Sequence, residues 1–160
     1  MYPQNAHVDY AYYLKGLTNF NKSKGIFQRY MPTDESQRDT GSAFRAFQNF
    51  SELVDRFPES EYAEDTSKRM RYLRNTLAKN EVHVANYYMR RGAFIAAANR
   101  ARYVIENYPK TPAVPEALVV MAKAYRILEM DELSNDALRV LKLNHPNHPG
   151  LYEVKEIQIN

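Results

Sequence analysis

The sequence contains no cysteine among its 160 residues. This absence excludes disulfide bridges, thiolate metal sites, cysteine nucleophiles and lipidated cysteines within these residues. No stretch approaches the roughly 18 consecutive apolar residues that a membrane-spanning helix needs, and the first residues lack the pattern of a signal peptide. We therefore expect no direct insertion of these residues into a membrane.

Neither charge sign dominates, because 22 basic residues stand against 19 acidic ones and give a net charge of +3. This excess is small for a nucleic-acid-binding protein. A basic run at Lys68, Arg69, Arg71 and Arg74 could contact phosphate, but apolar residues occupy the other side of the same predicted helix. A solvated helix face is the favoured interpretation, and we expect no nucleic-acid partner.

Glycine is scarce, with only 5 in the chain, and apolar residues recur at helical spacing along nearly the whole sequence. This pattern predicts an all-α fold of about six helices. Helices are expected over residues 8–21 and 43–57, and one long helix near 61–91 ends at Gly92. Three further buried stripes are predicted, at Phe94, Ala97, Ala98, Ala101, Val104, Ile105 and Tyr108; at Leu118, Met121, Ala122, Tyr125 and Leu128; and at Leu133, Ala137, Leu138 and Leu141.

Residues 21–42 lack a helical pattern and contain glycine, proline and several charges. They are predicted to form an inserted loop of about 20 residues, long enough to suggest a functional role. A partner-binding element and an insertion without fixed structure are both open interpretations of this loop.

An aromatic residue or histidine followed by proline closes successive predicted helices, at Phe57-Pro58, Tyr108-Pro109 and His145-Pro146. Proline lacks the next helical donor and restricts the residue before it, so each pair is a stop signal. The three prolines are 51 and 37 residues apart, close to the length of a helical-hairpin repeat. A further pair, Tyr2-Pro3, predicts that an earlier repeat precedes the first helix, which should then expose apolar surface.

Each predicted repeat has small, aromatic or aliphatic residues at regular places and ends on a proline. They are Gly16, Ala46, Phe50 and Pro58 in the first repeat, Ala85, Tyr88, Ala97, Ala101 and Pro109 in the second, and Ala122, Tyr125, Leu138 and Pro146 in the third. This arrangement resembles tetratricopeptide (TPR) repeats, although Ser134 replaces the usual alanine. We therefore predict a TPR-like solenoid of three repeats over residues 1–146, followed by a tail at 147–160.

Several longer stretches are similar to the BamD (YfiO/ComL) family of outer-membrane assembly lipoproteins, specifically its C-terminal three repeats. They are residues 12–19, 57–62, 78–81 and 87–94, together with Arg38-Asp39 ahead of Ala43-Phe44. The resemblance implies a non-catalytic scaffold in the periplasm, at the inner face of the outer membrane, without a cofactor. Its implied partners are a POTRA domain of BamA and the accessory lipoproteins BamC and BamE. The implied anchor cysteine is not among these residues.

The resemblance also implies partner-binding residues. Arg100, which follows Asn99, matches the family arginine that contacts BamA, and its helical position lies on the flank of the Phe94–Tyr108 stripe. Arg91 and Phe94 on the adjoining turn are weaker candidates. Arg38 and Asp39 are the candidates in the loop.

The sequence gives weaker support for other functions. His145 and His148 have a spacing that metal ligands use, but no third ligand is evident, so no metal site is expected. Asp34, Glu35 and Asp39 lack the partners that acid–base catalysis needs, and no catalytic residues are predicted. A repeat adaptor that clamps peptide C-termini is the main alternative, although Val82, Asn86 and Val120 stand where its basic and amide side chains would be.

Overall fold

The computed structural model describes residues 7–24 and 40–154, and all its regular elements are helices. The helices are α1 (Val8–Lys24), α2 (Thr40–Arg56), α3 (Ala63–Arg90), α4 (Phe94–Asn107), α5 (Val114–Ile127), α6 (Asp131–Asn144) and α7 (Gly150–Glu153). This architecture confirms the all-α class and is that of a TPR-like helical repeat. The predicted long helix is also confirmed, because α3 runs without interruption for 28 residues.

The predicted loop at 21–42 is too long at both ends. Helix α1 continues to Lys24, and α2 already begins at Thr40. Burial explains the earlier start of α2, because Ser42 is 2% exposed. The added residues at the end of α1 are not buried, and the Ser23 hydroxyl donates to the Phe20 carbonyl there at 2.7 Å. The rest of that loop lies outside the described residues.

The three stop signals end their helices in the same way. The backbone amides of Phe57, Tyr108 and His145 each donate to the carbonyl four residues earlier, at 2.7–2.9 Å. The turns that follow are also alike. The acceptor in each is the backbone carbonyl three residues after the stop, which belongs to Ser60, Thr111 or His148, and the donor is the amide three residues further on. The repeat inferred from the prolines is therefore also a repeat of backbone geometry.

The turns inside two helical hairpins share a second motif. After α3, the amide of Ala93 donates to the Tyr88 carbonyl at 3.0 Å and Gly92 adopts a positive φ of 73°. After α5, the amide of Met130 donates to the Tyr125 carbonyl at 2.9 Å and Glu129 takes φ 60°. Both are helix ends of the Schellman type, in which a left-handed residue lets the chain reverse.

The chain divides within α3 into two compact units, residues 1–77 and 78–160. In the first, α1 packs on α2 around a core that includes Phe20, Ala46, Phe50, Leu53 and Leu73. In the second, small residues of α3, α4 and α5 form one cluster, and α5, α6 and α7 contribute to another. Alanine dominates the first of these clusters, which allows close approach of the helices.

Two sequence predictions need correction in the second unit. Leu133 was expected on a buried stripe, but it is 46% exposed, and Ser134 takes the buried position with 1% exposure. The predicted count of six helices omits α7, a single turn within the expected tail. Helix α7 forms there because Val154 is buried in the α5–α6 cluster, with 1% exposure.

Candidate partner-binding site

A shallow groove lies along the start of α4 in the second unit, and two of the predicted site residues line it. Its walls are Gly92, Ala93, Phe94, Ile95, Ala96, Asn99 and Leu128. Most of these side chains are apolar, and Asn99 supplies an amide at the edge. A surface of this kind suits a protein segment with an apolar side chain at its centre and polar groups at its margin.

Phe94 contributes only part of its ring to this groove. The side chain is partly buried and packs against the alanine-rich cluster of α3, α4 and α5. Ile95, the next residue, points outward and is 63% exposed. The apolar character that a partner would meet at the groove therefore comes largely from Ile95, which is not among the residues predicted from the sequence.

Arg100 lies on another side of α4, where it pairs with a residue of α3. Its Nη1 atom donates to the Oε2 atom of Glu81 at 3.0 Å. The Arg100 side chain is 46% exposed, while that of Glu81 is 19% exposed. The carboxylate is thus the more buried partner, and the guanidinium remains accessible from solvent.

Asn99 and Arg91 lie at the margin of the groove at the start of α4. The Asn99 Oδ1 atom accepts a hydrogen bond from Nη2 of Arg102 at 3.0 Å, so its amide is oriented along the outer face of α4. Arg91 is exposed on the turn between α3 and α4, and its backbone amide donates to the carbonyls of Tyr87 and Tyr88. The structure therefore brings Phe94 and Asn99 into one groove and places Arg91 beside it.

One aromatic residue, Tyr103, extends the exposed face along α4 and contacts the partly buried Tyr108. Tyr103 is 42% exposed and meets the Tyr108 ring edge-on, with the centroids 6.0 Å apart. Burial, with the nearby Tyr103, raises the pKa of Tyr108 to about 12. Tyr103 and Ile95 both lie outside the buried stripe of α4. An apolar or aromatic residue outside such a stripe is the sequence signal that could have identified them as site residues.

Other predicted features occupy different places. Arg38 and Asp39 lie outside the described residues. In the basic run of α3, Lys68 pairs with Glu64 at 2.7 Å and Arg69 with Asp65 at 2.5 Å. These i, i+4 pairs neutralise part of the charge that a phosphate would meet. Lys68 is 67% exposed, whereas Arg69 is 29% exposed and lies over the Phe20 ring at 4.9 Å.

The part of the chain that the structure describes contains neither a metal-ligand cluster nor a membrane-spanning helix. No three residues among its histidines and carboxylates lie close enough to hold a metal ion. No helix in residues 7–24 and 40–154 has the length and apolarity required to cross a membrane.

Comparison with known proteins gives the family. Residues 1–141 match the YfiO family, described as an outer membrane lipoprotein. The chain is 44% identical over 151 residues to outer membrane protein assembly factor BamD of Neisseria gonorrhoeae, 39% over 150 residues to that of Xylella fastidiosa and 32% over 142 residues to that of Vibrio cholerae.

These three alignments cover 94%, 94% and 89% of the chain, but 57%, 51% and 59% of the relatives. The chain thus spans between about half and three fifths of the length of these relatives. The match over residues 1–141 includes every residue of the α4 groove and the Arg100–Glu81 pair. This chain therefore belongs to the YfiO family, together with the BamD assembly factors.

Proposed function

We propose that this chain is a non-catalytic scaffold for the assembly of outer-membrane proteins, acting in the periplasm at the inner face of the outer membrane. Its relatives are named outer membrane protein assembly factors. Three exposed residues of α4, Ile95, Arg100 and Tyr103, form what we call the α4 surface. This surface supports a scaffold role, because it offers apolar and charged side chains for contact with another protein. An assembly scaffold works through such contacts and needs no reacting group.

The partner of the α4 surface is a POTRA domain of BamA in this proposal, and BamC and BamE dock elsewhere on the same chain. One observation carries the assignment of the BamA contact: the guanidinium of Arg100 is 46% exposed although it already pairs with Glu81. A guanidinium has five N–H donors, and the hydrogen bond to Glu81 uses one nitrogen. A partner carboxylate can therefore bind Arg100 without breaking the existing pair.

The ion pair with Glu81 also helps to orient Arg100 for this role. A free arginine loses side-chain entropy when a partner fixes it, and a contact within the chain reduces that loss. Exposed ion pairs are worth about 0–1 kcal/mol, so this orientation lowers the cost of binding by a modest amount. Tyr103, three residues after Arg100 and exposed on the same helix, supplies apolar contact beside the charge.

The test measures binding of the isolated membrane-proximal POTRA domain of BamA to variants of this chain. Arg100→Glu should weaken binding by about tenfold or more, because it places a negative charge opposite the partner carboxylate. Arg139→Glu is the matched control, since Arg139 is 70% exposed and also pairs with an acid, Asp136, at 2.9 Å. Its binding should equal that of the unchanged chain.

A charge swap separates partner contact from internal stability. The double variant Arg100→Glu with Glu81→Arg restores an ion pair between α3 and α4 with reversed polarity. If Arg100 contacts the POTRA domain, the double variant still binds weakly although its unfolding midpoint is normal. Recovery of binding in the double variant would assign Arg100 a purely structural role and remove it from the proposed interface.

A further inference from the structure

The α3–α4 and α5–α6 hairpins match with a shift of 37 residues, which is the distance in sequence between the two left-handed residues of their turns. At this shift, Glu81 corresponds to Leu118 and Arg100 corresponds to Ala137. Leu118 and Ala137 are 3% and 2% exposed and belong to one apolar cluster. The α3–α4 hairpin therefore has an ion pair where the α5–α6 hairpin has two residues of its apolar core.

Stability alone does not account for charges at these two positions. The side chains of Glu81 and Arg100 are 19% and 46% exposed, so their pair is partly buried. Ion pairs at a surface contribute little to stability, and replacing buried pairs by apolar residues is often neutral or stabilising. The α5–α6 hairpin shows that this fold accepts the apolar alternative. The charges of Glu81 and Arg100 therefore suit contact with another molecule better than they serve the packing of the hairpin.

Both residues keep hydrogen-bonding capacity for such a contact. Their hydrogen bond joins Nη1 of Arg100 to Oε2 of Glu81 at 3.0 Å. A guanidinium also carries donors on its other two nitrogens, and a carboxylate has a second acceptor oxygen. The pair thus offers further donors and one further acceptor, Oε1 of Glu81, side by side at the surface.

The negative charge of Glu81 restricts which partner can use Arg100. A partner carboxylate that binds this guanidinium also comes close to the Glu81 carboxylate, and like charges placed together at an interface are unfavourable. A lysine or arginine beside the partner carboxylate removes the repulsion, because it can donate to Oε1 of Glu81. The pair as a whole is neutral and is best matched by a second pair of opposite charges.

We propose that Glu81 is a specificity-determining residue of the partner-binding site. Together with Arg100 it selects a partner surface on which a carboxylate lies next to a lysine or arginine, and it disfavours a surface with a carboxylate alone. Repulsion of the wrong partner contributes to specificity as much as attraction of the right one. This inference rests on the proposed function, because it requires that Arg100 contacts the POTRA domain.

The first test is Glu81→Gln, which removes the charge and keeps the shape of the side chain. Binding of the membrane-proximal POTRA domain to the full chain should weaken by about tenfold, because a charge pair across the interface is lost. Asp136→Asn is the matched control, since Asp136 is a 59% exposed acid that pairs with Arg139 at 2.9 Å. Its binding should equal that of the unchanged chain. Unchanged or tighter binding of Glu81→Gln would overturn the proposal.

A second test separates direct contact of Glu81 from an effect through Arg100. Adding Glu81→Gln to Arg100→Gln should weaken binding further, because the contact of Oε1 with the partner cation is lost as well. No further loss would mean that Glu81 only orients Arg100, which overturns this inference and leaves the POTRA contact of Arg100 in place. If Arg100→Gln alone binds like the unchanged chain, the contact in the proposed function fails, and this inference fails with it.

The third test copies the α5–α6 hairpin into the α3–α4 hairpin. The double variant Glu81→Leu with Arg100→Ala should keep the helical circular dichroism and at least the urea midpoint of the unchanged chain, while binding of the POTRA domain is lost. A clearly lower midpoint would show that the ion pair serves stability and would overturn the proposal. Retained binding would also overturn it, because neither charge would then be needed.

Discussion

The hydroxyl of Ser134 donates a 3.0 Å hydrogen bond to the backbone carbonyl of Ala122 and so joins α6 to α5 inside the core. Ser134 is 1% exposed and Ala122 is fully buried. In the α3–α4 hairpin, 37 residues earlier, Ala97 and Ala85 hold the equivalent positions and are also fully buried. Both hairpins therefore cross at a pair of small residues, and the second adds a polar link to the contact.

Replacing Ser134 by alanine should lower the free energy of unfolding by about 1 kcal/mol, because one buried hydrogen bond is lost while the packing fits alanine. Urea unfolding followed by circular dichroism measures the change. Ser67→Ala is the control, since the Ser67 hydroxyl is exposed and donates within its own helix, to the Ala63 carbonyl at 2.8 Å. Equal effects of the two substitutions would contradict a role for the Ser134 bond between helices.

Glu129 takes the left-handed conformation that glycine takes in the equivalent turn at Gly92. A residue with a Cβ atom carries about 1–2 kcal/mol of strain there, and an acidic side chain at a helix C-terminus is also unfavourable. We expect Glu129→Gly to raise the free energy of unfolding by about 1 kcal/mol, after the entropic cost of glycine is included. Thermal and urea unfolding both measure this change.

The complementary substitution, Gly92→Ala, tests the same explanation from the other side. It should destabilise the chain by about 1 kcal/mol, although no atom lies within 4 Å of the added Cβ. Since the added methyl meets open space, any loss comes from backbone strain alone. An unchanged midpoint for Gly92→Ala would show that the left-handed turn is not a source of strain in this chain.

Periodicity and stop signals predicted most of the fold, because both depend on local sequence. The 28-residue α3 and the ends of helices at Phe57, Tyr108 and His145 followed from the spacing of apolar residues and prolines. Helix α7 was missed because its formation depends on burial of Val154 against distant residues. A turn this short has no period of its own to detect.

The contacts of the candidate site were harder to predict, because they also depend on residues that are distant in the sequence. Helical projection gave the exposed position of Arg100, but its ion pair with Glu81 joins residues 19 positions apart on different helices. No spacing rule identifies such a partner from one sequence. Ile95 could have been selected, because it is an apolar residue outside a well-defined buried stripe.

Gly16 lies where α1 crosses α2, and a Cβ atom at this position would lie 2.3 Å from Cε1 of Phe50. Phe50 is fully buried, so its ring has little room to move. Gly16→Ala should lower the free energy of unfolding by about 1–3 kcal/mol through overpacking, reduced by the better helix propensity of alanine. Unfolding in urea tests this expectation.

A second variant checks that the loss at Gly16 comes from this contact. Phe50→Leu alone should destabilise the chain because it removes ring atoms from the core. Combined with Gly16→Ala, it should cost less than the sum of the two single changes, because the smaller side chain makes room for the methyl group. Simple additivity in this double-mutant cycle would contradict a steric conflict between the two residues.

Asp65 accepts hydrogen bonds from Nε of Arg69 at 2.5 Å and from the Tyr13 hydroxyl at 2.6 Å, and so links α1 to the start of α3. The bond from Arg69, followed by that from Tyr13, lowers the pKa of Asp65 below its usual value. Because the folded pKa lies below the unfolded one, this carboxylate stabilises the chain above the unfolded pKa. Its contribution falls as the pH drops from that value through the folded pKa.

Asp65→Asn should therefore weaken the dependence of stability on pH in the acid range. The measurement is the urea midpoint at pH values from about 6 down to about 3, where carboxylates titrate. The unchanged chain should lose more stability over this range than the variant, because asparagine cannot gain the proton. Tyr13→Phe should give an intermediate slope, since it removes one of the two donors. Parallel curves for all three proteins would rule out Asp65 as a source of acid sensitivity.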